Sequence, residues 1–512
     1  MSELITSTLE ADGLLIASIN MTDRTMNVFS FELMDALDAL MERVEKDSDI
    51  KAVVLTSGKS TFLAGADLVM VRGFCTEART ASHDRMFEQC GRLGRQFVRL
   101  EASHKPWVAA VNGLALGGGL ELTMACRARV VSDDPRIQLG LPEVRWGLLP
   151  GAGGTQRLPR MVGYTKGLSL LLTGQSIAPS EAVQLGLFSQ AVPASDLLET
   201  ARALARKLVG TTYNPVEKFP HLDQTQVPVW SESIARQTAL QFGIAPDDFD
   251  LYPAFSTIID SVLKGARQSL ADATAIEMNE FLRLMFNPVA GRMVRTLFLA
   301  RVRADRELAP PSDLKIVKIR KGPISKDQSE WGTALAKLKI EQVDVEDLLE
   351  DHIELVDSKG SVCKVRLQSL KDRTHTQGAE VAAVLAPAGA YGRVIEILGS
   401  ANIIELQMVA ALAVRMWALP WPSCSNKSLL QSLDQVPLFQ QASIALEWAA
   451  QTDDCDVGFI DVATCLSGVS PGWTGGPLSW LWDEQTTQLP FLGAASQVAW
   501  AKLANKLQEA CE

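Results

Sequence analysis

The sequence predicts an α/β protein in which parallel strands alternate with helices up to about residue 190, followed by a mainly helical stretch and a second part with strands and helices of its own. Three observations carry this. Short apolar runs closed by Gly, Ser or Asn alternate with segments of helical period in the first part. The strand signal then gives way to helical sequence between 193 and 310, as in NEFLRLMFNPVAGRMVRTLFLARVRADREL. Pro310-Pro311 finally breaks the chain, because the residue before a proline is pushed out of the helical region.

Taken in order, GLLIASIN (13–20) is strand-like and TDRTMN (22–27) is turn-rich. FELMDALDALMERVEKD (31–47) has helical period, and KAVVLTSG (51–58) is a short apolar strand. A helix-like segment at about 80–102 precedes the strand PWVAAVNG (106–113). After the break, DLKIVKIRKG (313–322) predicts a first strand, SEWGTALAKL (329–338) a helix and KIEQVDV (339–345) a second strand, the opening of a Rossmann-like unit. VAAVLA (381–386) and RVIEIL (393–398) add strands, and the remainder from about 403 is helical. Eight of the eleven tryptophans lie beyond residue 313, so these helices carry apolar faces that must be covered.

At 512 residues the chain has room for two to four domains, each with its own core. Hydrophobic residues at 47% and charged residues at 21% are ordinary globular values. A net charge of −11 argues against a nucleic acid or an anionic membrane as partner, while leaving room for a local basic spot that meets an acidic ligand. The eight cysteines are scattered without CxxC or zinc-type spacing, as expected of reduced thiols. The first residues, MSELITSTLEADGLLIASIN, lack the basic flank of a signal peptide, and no run reaches the ~20 apolar residues of a membrane span. A soluble, cytoplasmic protein is expected.

Residues 107–161, WVAAVNGLALGGGLELTMACRARVVSDDPRIQLGLPEVRWGLLPGAGGTQRLPRM, point to a chemistry. Gly117-Gly118-Gly119 stands directly before the helix-like LELTMAC. The first turn of a helix leaves N–H groups unpaired and its dipole favours negative charge, while glycine lets a ligand come close to the backbone. Glu121 follows two residues later and Glu143 after a short loop. Two carboxylates close together against apolar walls desolvate and repel each other, which raises at least one pKa toward neutrality and makes an acid–base pair.

This stretch resembles the active-site segment of the enoyl-CoA hydratase/isomerase (crotonase) family, in the form found in the multifunctional α-subunits of fatty-acid β-oxidation complexes. Singly, a glycine triplet is a tight turn and a Glu after Pro is a solvated first-turn residue. It is their joint occurrence in the family's order, with LPGAGGTQRLPRMVG behind, that carries the resemblance. It implies a crotonase (ββα-superhelix) core over 1–192, with a helical extension and linker over 193–312. It implies Glu121 as base on water, Glu143 as proton donor, and an oxyanion hole made by the N–H groups of Ala66 (in TFLAGADL) and Gly118. A Cβ at Gly118 is expected to enter the thioester's path or distort the turn. The substrate implied is an acyl-CoA, held by the turn Arg24, Thr25, Met26 and Asn27 and by Leu63, Ala64 and Gly65. Arg24 is a phosphate partner in this reading, and Asp67 a helix cap.

Residues 313–512 resemble, more faintly, the 3-hydroxyacyl-CoA dehydrogenase region of the same multifunctional enzymes, through GRVIEILGS (392–400) and GWTGGPLSWLWDE (472–484). The parts that bear chemistry are missing. Dinucleotide binding needs a Gly-rich turn after the first strand, and RKGPISKDQSEWG contains no GxGxxG. The family's histidine base should precede Glu396 by about a dozen residues, and VAAVLAPAGAYGRVIEI has none. Asp344, at the end of the second strand, stands without the glycine turn that a ribose-binding acid accompanies. The expectation is therefore a degenerate Rossmann-like domain (313–402) and a degenerate helical domain (403–512), with no NAD and no metal. The activity implied is hydration of trans-2-enoyl-CoA. Its alternatives are Δ3–Δ2-enoyl-CoA isomerisation, a non-catalytic acyl-CoA-binding or scaffold protein, and a bifunctional hydratase–dehydrogenase. For assembly, the resemblance implies a thiolase partner or self-association.

Overall fold

In the computed structural model, residues 4–213 are described without a break, followed by 218–220, 232–242, 244, 249, 252–300 and 302–303. Beyond these the structure describes 315–320, 351–356, 362–367 and parts of 442–511. The chain divides into two compact units, Met1–Gly291 and Arg292–Glu512.

The first unit is built on a six-stranded sheet. Its strands are β1 (Ile5–Leu9), β2 (Leu14–Ile19), β3 (Ala52–Ser57), β4 (Trp107–Val111), β6 (Ala128–Ser132) and β9 (Gln190–Val192), in the order β1-β2-β3-β4-β6-β9. β1 and β2 pair antiparallel, and every later neighbour is parallel. The central strand β4, WVAAV, is buried at all five positions, as expected where both faces of a parallel sheet are covered. One cover is α9 (Leu197–Leu208), whose Leu197, Ala201 and Ala205 close on Leu14, Ala52, Val54, Val108, Ala110 and Val130. The small alanines let this helix lie near the sheet.

The remaining elements of this unit follow from local sequence. α1 (Phe31–Lys46) buries Leu33, Leu37, Leu40, Met41 and Val44 at helical spacing and starts at Ser30, whose side chain accepts from the Leu33 N–H. α2 (Leu68–Glu77) starts at Asp67, which accepts from the Val69 N–H at 2.8 Å. The expected helix near 80–102 is two helices, α3 (His83–Cys90) and α4 (Arg92–Glu101), divided at Gly91. A small second sheet joins β5 (Ala115–Leu116), β7 (Leu139–Gly140) and β8 (Ser176–Ile177). It places the start of α5 (Gly118–Ala125) beside the loop that leads to Glu143, with the Gly117 N–H donating to the Gly140 carbonyl at 2.9 Å. Next come α6 (Gly154–Val162), α7 (Tyr164–Thr173) and α8 (Pro179–Gln184). The helical region then provides α10 (Glu232–Gln241), α11 (Pro253–Gly265) and α12 (Leu270–Met285). α11 and α12 pack on each other and both pack on α6.

In the second unit, β10 (Lys315–Arg320) coincides with the expected first strand. β11 (Asp351–Val356) and β12 (Val362–Leu367) were not expected; β10 pairs with β11 and β11 with β12, both antiparallel. A Rossmann-like opening needs parallel neighbours, so the described strands depart from that expectation. For β11 and β12 the physical reason is their connection, which spans only 357–361, too short for the crossover that parallel strands require. The expected elements at 329–338, 339–345, 381–386 and 393–398 lie outside the described residues, as do Asp344 and Glu396. GWTGGPLSWLWDE forms a 3-10 turn, Gly472–Thr474, and a short helix, Pro477–Asp483. The buried Asp461 caps that helix, accepting from the N–H groups of Leu478 and Ser479 at 2.8 Å each. Among the described residues, no helix is long and apolar enough to cross a membrane.

Candidate active site

Gly117 has φ +51°, a backbone state that favours glycine, and this turns the chain from β5 into α5. Every residue of α5 is buried, Glu121 included. A buried carboxylate must find donors, and Glu121 finds them across the site. Its Oε1 accepts from the N–H groups of Ala152 at 2.8 Å and Gly154 at 2.7 Å. These belong to the turn that opens α6, so the helix dipole also favours the ionised form. Burial pushes the Glu121 carboxyl up to about 7, against the pull of the two N–H groups and of Arg157.

Glu143 opens a 3-10 turn, Glu143–Trp146, that follows Pro142 and ends at Gly147 with φ +76°. Its environment differs from that of Glu121. Among the described residues its Oε2 is buried with no hydrogen-bond partner. Burial, and then the charge of Glu121, hold this carboxyl well above the usual range. Glu143 is therefore poised as a neutral acid, and Glu121 as the group better able to carry charge. A Cβ at position 117 would lie 2.5 Å from Glu143 Oε1, so glycine at 117 makes room for this carboxyl.

The segment 62–66 lies along 114–119. The N–H groups of Phe62 and Leu63 donate to the Leu114 carbonyl at 3.0 and 3.1 Å, and Leu116 N–H donates to Leu63 O at 3.1 Å. Ala66 and Gly118 are thereby carried on adjoining strips of backbone. The Ala66 N–H makes no hydrogen bond among the described residues. Gly118 is the first residue of α5, where an N–H has no partner within the helix. A Cβ at Gly118 would meet Phe29 Cδ2 at 3.1 Å and Leu93 Cδ2 at 3.5 Å, so it faces the apolar packing. The glycines whose Cβ would strike a candidate catalytic group are Gly117, at 2.5 Å from Glu143 Oε1, and Gly154, at 2.8 Å from Glu121 Oε1.

The two segments expected to hold coenzyme A run side by side: Ala64 N–H donates to Asn27 O at 2.9 Å, and Phe29 N–H to Gly65 O at 2.8 Å. Arg24, Thr25 and Met26 are exposed there, while Asn27 and Leu63 are buried. The Asn27 side chain serves the fold. Its Nδ2 donates to Ile19 O, Ser57 Oγ and Phe62 O, and its Oδ1 accepts from Met21 N–H. Arg24 is ion-paired at 2.6 Å with Asp67, the residue that caps α2. Lys59, which sequence reasoning passed over, donates to the Arg24 carbonyl at 2.8 Å and adds a second cation at this turn.

Two further residues that sequence reasoning missed come from the helical region. Tyr252 donates its hydroxyl to the carbonyl of Val144, directly after Glu143. Glu277 of α12 is fully buried and accepts from the N–H groups of Gly153 and Thr155 and from the Thr155 hydroxyl. Burial, and then the charge of Glu121, push its carboxyl up to about 8. The available signal was an acid on an apolar stripe: Glu277 falls at helical spacing with the buried Ala273, Thr274 and Met278.

Strand order, the pair of carboxyl groups and the adjoining glycine-rich turn together describe an α/β unit of the crotonase type. Comparison with known proteins agrees. Residues 13–226 match the model of the enoyl-CoA hydratase/isomerase family. The chain is 36% identical over 309 residues to the fatty acid oxidation complex subunit alpha of Shewanella sp. (strain MR-4), covering 60% of this chain and 42% of that protein. To the subunit of the same name in Shewanella amazonensis it is 34% identical over 344 residues, covering 66% of this chain and 47% of the relative. The matched part thus spans less than half the length of these relatives. Among solved structures, enoyl-CoA hydratase from Bacillus anthracis aligns with 28% identity and a TM-score of 0.36, covering 47% of this chain and 89% of that one.

Proposed function

We propose that the first unit is an enoyl-CoA hydratase, adding water to a trans-2-enoyl-CoA to give a 3-hydroxyacyl-CoA. The observation that supports this most is the unlike setting of two neighbouring glutamates, Glu121 buried and Glu143 half-buried with its Oε2 out of contact with solvent. Glu121 is provided with two N–H donors that favour its charge, and Glu143 Oε2 finds no partner among the described residues, which favours its proton. Water held between them loses a proton toward Glu121 as its oxygen attacks C3. Glu143 gives its proton to C2. The charge that grows on the thioester oxygen is taken by the N–H groups of Ala66 and Gly118, each worth about 3 kcal/mol of barrier in comparable sites. The proton taken by Glu121 then restores Glu143 through the next water, so no redox group or metal enters the balance.

Isomerisation of a 3-enoyl thioester needs one shuttling carboxylate, and the presence of a second, differently tuned one favours hydration. The coenzyme would lie along Arg24–Asn27 and Leu63–Gly65, with Arg24 and Lys59 near its phosphates. The second unit carries no dehydrogenase activity in this proposal, since its sequence has no GxGxxG and no histidine ahead of Glu396. Its role is structural, toward a thiolase or a second copy of the chain. One assay tests these readings together. Purified protein is given crotonyl-CoA and longer enoyl-CoAs, and loss of the conjugated thioester absorbance is followed with and without NAD. Loss of absorbance independent of NAD supports the hydratase. Binding without turnover supports the scaffold, and NADH formation from 3-hydroxybutyryl-CoA restores the bifunctional reading.

A further inference from the structure

The turn Ala152–Thr155 is held by two carboxylates from different parts of the chain. Its N–H groups alternate between them: Ala152 and Gly154 donate to Glu121, Gly153 and Thr155 to Glu277. Gly153 has φ +98°, a state that favours glycine, so the turn depends on its partners for this shape: the two carboxylates on its N–H groups and Arg157 Nη1 on the Ala152 carbonyl. We infer that Glu277 is a positioning residue for Glu121: by fixing the N–H groups of Gly153 and Thr155, it aims those of Ala152 and Gly154 at the Glu121 carboxylate. Glu277 lies beyond residues 13–226, so the family-matched region is completed by a helix outside it.

The surroundings support a built device. Thr155 Oγ1 also lies 2.7 Å from Ser261 Oγ and accepts from Gln156 Nε2 at 3.0 Å, and Gln156 Nε2 donates to Ser261 O at 2.8 Å. Glu277 is thus locked between α6, α11 and its own helix. An acid on an apolar helix face costs several kcal/mol of desolvation, which a merely structural contact between α12 and α6 could avoid with an apolar residue. On the other side, a cap for the α6 N-terminus alone would need one carboxylate; here two are engaged, and one of them is the proposed base.

The inference rests on the proposed hydratase reading, and its test separates the two. In Glu277→Gln, one carboxylate oxygen becomes an amide that cannot accept from the turn. kcat is expected to fall about tenfold with KM within about twofold, as for a reacting group displaced by a fraction of an ångström. Glu277→Ala should lose about a hundredfold. In a Glu121→Gln background the Glu277→Gln effect on kcat should vanish, since Glu277 acts through Glu121. A folded Glu277→Gln with the wild-type kcat, or an undiminished loss in the Glu121→Gln background, would overturn the inference. If the wild type hydrates no enoyl-CoA, the hydratase reading fails and positioning is read directly by hydrogen–deuterium exchange. The amides of Ala152 and Gly154, which do not touch Glu277, should lose protection in Glu277→Gln. Unchanged protection there would overturn the inference without any assay of activity.

Discussion

Tyr252 and Val144 join the helical region to the active-site loop: the tyrosine hydroxyl donates to the carbonyl of the residue directly after Glu143. Tyr252 is itself buried, and its ring packs on Phe255 of α11 at 4.8 Å between centroids, tilted by 56°. The position of Glu143 is therefore set partly by a helix more than a hundred residues away in sequence. Tyr252→Phe keeps the ring packing and removes the bond. It should lower stability by about 1 kcal/mol and lower kcat several-fold, because the 3-10 turn gains freedom. Thermal melts and steady-state kinetics on the same preparation check both; an unchanged kcat would show that Gly147 and Pro142 fix the turn unaided.

Glu121→Gln should leave the fold intact and cut activity to a small but measurable residue. Both N–H groups donate to the same oxygen, Oε1, so a glutamine can keep both bonds while losing the charge. Glu143→Gln should likewise keep its shape, since Glu143 is held neutral. Each variant should lose orders of magnitude in kcat with enoyl-CoA binding largely retained. A folded double variant that hydrates crotonyl-CoA at near the normal rate would remove both residues from the mechanism.

Gly117→Ala should be more damaging than Gly118→Ala. At 117 the new Cβ meets both a positive φ and a carboxylate oxygen at 2.5 Å, which must move. At 118 it meets the edge of the Phe29 ring at 3.1 Å, which a small shift relieves. Expected is near-complete loss of activity for the first and partial loss with a lowered Tm for the second. Equal activities would mean that Glu143 has more room than its surroundings show.

Raised carboxyl pKa values also set a pH dependence. Glu143 sits well above its usual 4.5, chiefly through burial, so between the two values the folded state binds a proton that the unfolded state has lost. Stability from this group is therefore greatest at or below pH 4.5 and falls as pH rises. Glu143→Gln removes that dependence. Its Tm should match the wild type near pH 5 and exceed it near pH 8, in melts taken at both. The opposite ordering would mean that Glu143 is ionised in the fold.

The sheet and the carboxylate pair were legible because their signals are local. β4 announces itself as an unbroken apolar run, and Gly117–Glu121 places its glycines and acid on one short segment. What stayed hidden depends on contacts distant in sequence. Nothing near Glu277 or Tyr252 says that they reach the loops at 153 and 144, and Asn27, expected beside the coenzyme, is taken up by four hydrogen bonds of the fold. The break at Gly91 and the 2.5 Å clearance at Gly117 likewise depend on neighbours. In the second unit, β10 was readable as an apolar alternation, but its partners were fixed by a hairpin that the Rossmann-like reading did not anticipate.

A last prediction concerns the charges beneath the site. Glu101 is buried with two cations: Arg157 bonds its Oε2 through two nitrogens at 3.0 and 3.1 Å, and Lys218 bonds its Oε1. Burial alone would raise the Glu101 carboxyl, but Arg157 and Lys218 outweigh it and hold the pKa below the usual value. Burial brings Lys218 down to about 8. Removing the anion leaves two desolvated cations facing each other, so Glu101→Gln should cost about 3–5 kcal/mol. The damage should reach catalysis too, because Arg157 Nη1 also donates at 2.9 Å to the carbonyl of Ala152, whose N–H serves Glu121. Denaturant melts should show a lower midpoint with an unchanged slope, and kcat should fall while the protein remains folded. Since the folded pKa of Glu101 is depressed, its contribution is present above the unfolded value and disappears as pH falls through the folded one. The gap between wild type and Glu101→Gln should therefore narrow on acidification, and a gap that widened instead would show that the triad is not the source of the stability.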